Sequence, residues 1–178
     1  MPKSSHPGSS ARCTLALGAM LLATPAPADA EQPAVARVPI AIVDLDYADT
    51  SGEARDQQAE HEARLRAFVA MLRADLEQDG RYRTITIACR RPPCTAQPSG
   101  AASLVEDARA AGARLLLYGG IQKMSTLIQH SKVQVVDVEA NKLVFDRLIS
   151  FRGDTDESWQ RAARFLVREL KAANLLVP

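Results

Sequence analysis

The chain has few features that would commit it to a membrane, to nucleic acid or to metal chemistry. Its early apolar stretch, Cys13 to Ala23, is shorter than the about 20 residues that a bilayer-spanning helix needs. No later stretch is long and apolar enough either, so stable membrane insertion is not expected. An excess of charge of one sign is also missing, with 22 Lys and Arg against 21 Asp and Glu. A chain so balanced has no electrostatic reason to seek nucleic acid, and the pair Arg90-Arg91 is too short a basic patch to change that. Cysteine and histidine are scarce, three of each. Zinc normally takes four ligands, and neither His61 nor His130 has ligand spacing to Cys89 and Cys94, so no metal and no cofactor is expected. The chain also lacks a Gly-x-Gly-x-x-Gly or Walker loop, a Gly-x-Ser-x-Gly elbow and internal repeats. These absences weigh against an enzyme.

The first 30 residues have the layout of a secretory signal. Lys3 and Arg12 supply positive charge, an apolar run follows, and Ala28-Asp29-Ala30 offers small residues for cleavage before Glu31. Cys13 lies inside the apolar run, away from any cleavage context that would make it a lipidated first residue. Export to the periplasm is therefore expected. Cleavage leaves 148 of 178 residues, the size of one domain with a real core. Taking Lys3 and Arg12 from 22 basic residues and Asp29 from 21 acidic ones leaves 20 of each, a net charge of zero. In an oxidising compartment, Cys89-Arg-Arg-Pro-Pro-Cys94 suggests a local disulfide pinning a proline-rich loop.

Beyond a flexible, polar lead-in at 31–37, residues 38–178 read as a single α/β domain. Val38 to Tyr47 is a nearly continuous apolar run, as in a strand covered on both faces. From Ala54 to Asp79, Leu65, Phe68, Val69, Leu72 and Leu76 recur at helical spacing, and Gly80 stops the helix. Tyr82 to Cys89 alternates as a second strand, and Arg90 to Gly100 is loop. Ser103-Leu-Val-Glu106 reads as a capping box opening a short helix, closed by Gly112 before a strand at Arg114 to Tyr118. Leu127–Val138 and Leu143–Arg152 form an antiparallel hairpin, and Asp154-Thr-Asp-Glu157 opens the last helix with acid at its positive end. The buried stripe of that helix is Trp159, Ala162, Ala163, Leu166 and Leu170. The order β-α-β-α-β-β-β-α implies one mixed sheet of about five strands with three helices.

Few residues remain for function. Asp44 and Asp46 share a face near the end of the first strand, where open α/β sheets commonly bind ligands, and two carboxylates there could hold a cation or move a proton. Their ordinary role is to accept hydrogen bonds from a turn. Gly119-Gly120 leads into another extended segment, which suits a bulge or a close backbone approach. Gln122, Lys123 and Ser125 beside it are the candidates to face a partner. Arg152-Gly153-Asp154 is explained by a strand exit and helix start, and Trp159 by its helix core.

Four phrases bear on the family: Ile40-Ala-Ile-Val-Asp-Leu-Asp46, Asp79-Gly-Arg-Tyr82, Gly119-Gly-Ile-Gln-Lys-Met-Ser125 and Phe151-Arg-Gly-Asp-Thr-Asp-Glu-Ser-Trp159. Together they resemble exported bacterial proteins of the DUF2380/DUF3280 type, over almost the whole mature chain. More distantly, the element order is similar to the small α/β domain of the curli-secretion lipoprotein and of the amino-terminal part of the Tol-system propeller protein. The resemblance brings no catalytic residues. The leading expectation is a non-catalytic binding or assembly module for another envelope protein or a small ligand. The rival expectations are a small periplasmic enzyme or metal-binding protein centred on Asp44 and Asp46, and an accessory factor of a periplasmic oxidation pathway.

Overall fold

Residues 36–173 and 175–176 are described by a computed structural model. The expected signal segment and most of the lead-in lie outside the described residues. In chain order the elements are β1 (Val38–Ile42), β2 (Asp46–Asp49), α1 (Gln58–Gln78), β3 (Tyr82–Ile85), α2 (Ala96–Ser99), α3 (Ala101–Ala110), β4 (Leu115–Lys123), β5 (Ile128–Asp137), β6 (Lys142–Arg152) and α4 (Asp156–Ala172). The mixed α/β expectation holds, with six strands and four helices among the described residues rather than five and three.

The sheet runs β3-β1-β4-β5-β6, with β2 also paired to β4. β1 is parallel to β3 and β4, whereas β4, β5 and β6 are antiparallel. The extra strand arises because the apolar run at 38–47 does not stay one strand. Val43 N still donates to Leu117 O at 3.2 Å, but Asp44 N donates to Cys94 O at 3.1 Å. The loop closed by the Cys89–Cys94 disulfide, whose Cα atoms are 5.5 Å apart, thus supplies an acceptor in place of a strand. The chain then re-enters the sheet as β2, with Asp46–Asp49 in register with Gly120–Lys123.

Period-two alternation divides the core into two layers. Ile40, Ile42, Leu115, Leu117, Val133, Val135 and Phe145 point toward α1 and α4, where they meet Phe68, Val69, Leu72, Trp159, Leu166 and Leu170. Each such side chain contributes about 1.5–3 kcal/mol when fully buried. The intervening Ala41, Val43, Leu116, Tyr118, Val136 and Val138 point the other way, onto Leu104, Val105 and Ala108 of α3. The ten residues of α3 cover only part of that second face.

Three helix starts differ from the sequence reading. α1 begins at Gln58, four residues later than expected, because the segment before it is held by side-chain contacts to Lys123. Ser103 lies inside α3 and caps nothing; Gly100, at φ 76°, turns the corner between α2 and α3 instead. Along α4 the capping box is Thr155 with Ser158, the Thr155 hydroxyl accepting from Ser158 N at 3.3 Å. Glu157 instead pairs with Arg161 at 2.5 Å. β3 stops at Ile85, not Cys89, where its pairing with β1 ends at Ala41.

Candidate functional site

Beyond Gly119-Gly120, β4 continues without a break in its ladder to β5. Both glycines sit where neighbouring backbone comes close. A Cβ on Gly119 would collide with the Lys132 carbonyl and lie 3.0 Å from Val133 Cα; on Gly120 it would lie 3.1 Å from Asp46 O. From here the strand alternates between two very different environments.

Lys123 points between the sheet and the helices and is wholly buried. Its ammonium donates to Glu53 and Gln57, lies 3.0 Å from Asp154 Oδ2 and 3.8 Å from Asp49 Oδ2. Asp154 is the hub. Its Oδ2 also lies 2.8 Å from His61 Nε2, while Oδ1 accepts from Arg64 Nη1 at 2.9 Å and Trp159 Nε1 at 3.3 Å. Burial would raise the Asp154 carboxyl, but the His61 and Lys123 contacts outweigh it and hold it below the ordinary carboxylate range. Burial likewise opposes the charge on Lys123, and its bonds to Glu53 and Asp154 outweigh that and raise its ammonium above the usual value.

Aromatic rings close this pocket of charge. Tyr47 stacks on His61 with centroids 4.7 Å apart, and Trp159 meets Phe68 and Phe151 edge-on at 6.3 and 6.0 Å. Burial, then the charges of Asp49 and Asp154, push the Tyr47 hydroxyl well up, and it has no hydrogen-bond partner among the described residues. Gln129, cross-strand from Lys123, and Ser131 are also buried without partners for their side-chain polar atoms among the described residues. The partner-facing expectation for Lys123 therefore meets a correction: its ammonium is used inside the domain. His61, Glu53, Arg64 and Gln129 are the residues that sequence reasoning missed. His61 was legible only as a histidine in a polar helix turn, since its partner lies 93 positions away.

Gln122 points to the opposite face and is exposed. There the sheet is not covered by α3. Gln122 is cross-strand from His130, which is cross-strand from Ser150; Gly120, Lys132 and Leu148 form the next row. With Gln97 at one end, Gly120, Gln122, His130, Lys132 and Leu148 line a shallow groove of about 370 Å³. Gln122 Nε2 reaches Thr50 Oγ1 at 3.2 Å, leaving its carbonyl oxygen free of protein donors among the described residues. Ser125 lies in the β4–β5 turn, where its hydroxyl accepts from Leu127 N and Ile128 N at 3.3 and 3.2 Å.

Asp44 and Asp46 line an adjoining groove of about 700 Å³ with Glu62, Pro93 and Thr95. Asp44 is exposed, 3.7 Å from Arg73 Nη2, and Asp46 accepts from Gln97 N at 2.9 Å. Among the described residues no group of three or more His, Cys, Asp or Glu is placed to hold a metal ion.

A family model described as "protein of unknown function (DUF2380)", DUF3280, matches residues 38–170. The chain belongs to this family. No curated protein matches it. Among solved structures, a hypothetical protein, CT253, from Chlamydia trachomatis is 14% identical with a TM-score of 0.50, covering 77% of this chain and 98% of its own. That similarity concerns the fold. The PelC dodecamer from Paraburkholderia phytofirmans is 16% identical with a TM-score of 0.48, covering 78% of this chain and 88% of its own. TolB from Acinetobacter baumannii is 16% identical, also at 0.48, over 76% of this chain but only 28% of the TolB chain.

Proposed function

We propose that this DUF3280 domain is an exported, non-catalytic module that binds another envelope protein through the uncovered half of its sheet. The supporting observation is the alternation of β4 beyond the glycines, which puts exposed Gln122 in a row with half-buried His130 and exposed Ser150 while Lys123 is absorbed inside. The start of α2 adds to the same surface, because Asp46 accepts a hydrogen bond from Gln97 N at the end of the groove. Open sheet faces and loops held by a rigid scaffold are common binding surfaces. Export is supported by the signal layout at residues 1–30 and agrees with a disulfide. No helix among the described residues is long and apolar enough to cross a membrane. A catalytic role for the His61–Asp154 pair is disfavoured by access, since His61 is covered by Tyr47 and only 1% exposed.

The test is in-cell photocrosslinking from position 122 and from position 97, with exposed Glu77 on α1 as the control position. The same partner protein should be captured from both 122 and 97 and not from 77. Capture from 77 alone, or from none of the three, rejects the docking face.

A further inference from the structure

β6 is the outer strand of the sheet and, among the described residues, pairs only with β5. Natural edge strands are usually protected by shortness, proline, bulges or a covering element. The opposite edge, β3, follows that rule with four residues. β6 runs for eleven, contains no proline, and has its one register shift near its start, opposite Val135/Val136. Just past its end, Gly153 N donates to Leu127 O at 2.9 Å, which sets the phase of the antiparallel ladder. Arg147, Ile149 and Phe151 therefore turn their backbone N–H and C=O groups toward β5, and Asp146, Leu148, Ser150 and Arg152 turn theirs outward.

The six consecutive residues Arg147 to Arg152 line a groove of about 560 Å³ beside Ala162 and Phe165 of α4. Residues of both pleat faces line it, so it follows the outward backbone. Large apolar side chains are left open on either side, Phe165 at 40% and Leu148 at 58% exposure. Asp146, Leu148, Ser150 and Arg152 lie on the Gln122 face, and Arg147, Ile149 and Phe151 on the α4 face. Asp146 pairs with Lys132 and Arg147 with Glu169. Exposed Arg152 has no carboxylate partner among the described residues.

This order of residues complements itself. With Ile149 opposite Ile149 of a second copy, antiparallel pairing sets outward residues against outward residues, Asp146 against Arg152 and Leu148 against Ser150. Arg147 then faces Phe151. Neighbouring registers do worse: centred on Leu148 or Ser150, Arg152 faces Val144 or Leu148, and centred on Arg147 the strand opposes Arg147 to itself and Lys142 to Arg152. Like charges directly opposite in a ladder are destabilising. We propose that β6 is a self-association edge, pairing with β6 of a second copy about a two-fold axis at Ile149 so that two sheets join into one. Because that axis stands normal to the sheet, both α4 helices lie on one side of the joined sheet, where each exposed Phe165 gains apolar cover. Both Gln122 faces lie on the other side and stay open, so the inference stands apart from the reading of that face.

The experiment is sedimentation velocity of the purified chain over a concentration series, which should show monomer and dimer in exchange and nothing larger. D146R and R152D each set like charges opposite in the joined ladder, and each alone should weaken the dimer about tenfold or more. Mixed in equal amounts, the two variants should recover it, since positions 146 and 152 of one copy then face opposite charges on the other. S150P removes an outward N–H that the isolated domain does not use, and should abolish the dimer with an unchanged circular dichroism spectrum. Q122A/H130A should dimerise as the parent does, which separates this edge from the sheet face. The proposal is overturned by a parent that stays monomeric, by assembly beyond the dimer, by either single variant dimerising as the parent does, or by a mixture no stronger than its components. If S150P does not fold, the mixing experiment still decides.

Discussion

Gln122 and Lys123 are neighbours on one strand, yet one is exposed on an open sheet face and the other is sealed among Glu53, Asp154 and Gln57. The difference comes from the strand pleat together with unequal helix cover. α1 and α4 close one face along its length, whereas α3 stops short on the other. On the closed face Lys123 finds partners and becomes structural, while Gln129 and Ser131 beside it are buried without side-chain partners among the described residues. On the open face a polar residue keeps its hydrogen-bonding capacity for something else.

The comparison breaks most visibly at Lys123. Lys123→Met should cost about 3 kcal/mol, because removing one member of a buried ion network leaves the other charges without compensation; the exposed rim of Glu53 keeps it toward the lower end. A urea midpoint unchanged from the parent would mean that the network contributes nothing. Gly119→Ala should cost about 1–3 kcal/mol by forcing β4 and β5 apart at Lys132, and should reduce hydrogen-exchange protection there; unchanged protection would show that the strands accommodate a side chain.

A third measurement separates the network by pH. The depressed carboxyl of Asp154 supplies stability above its unfolded value that is lost as pH falls through its folded one. The raised ammonium of Lys123 supplies stability below its unfolded value that is lost as pH rises through its folded one. The parent should therefore weaken below about pH 4 and above about pH 10. Asp154→Asn should flatten the acid limb and Lys123→Met the alkaline limb; parallel curves would remove these two groups from the account. The smallest expected effect is Gln122→Ala with His130→Ala, within about 0.5 kcal/mol in stability, but with loss of partner crosslinks. A large stability loss there would make the open face structural too.

Much of the architecture was legible because it rests on local patterns. Helical spacing located Leu65 to Leu76, and the stripe from Trp159 to Leu170 is the buried face of α4. Alternation located the β5–β6 hairpin within a residue at most ends. The break between β1 and β2 was not legible, because it depends on Cys94 O, fifty positions from Asp44. The start of α4 departs from the Asp154–Glu157 expectation for a related reason. Asp154 is drawn away by Lys123, His61 and Arg64, which leaves Thr155 and Ser158 to satisfy the helix end.

The sequence by itself determined the family, the mixed α/β class, the disulfide pair and the short list of polar residues around the glycines. The family rests on the resemblance of four phrases, and the rest follows from periodicity, spacing and composition, which act over a few residues at a time. Only the tertiary structure decided that Gln122 stays free while Lys123 does not, and that His61 and Asp154 meet at all. Those outcomes depend on how far each helix extends over the sheet, and on charges brought together across 70 to 93 positions of chain.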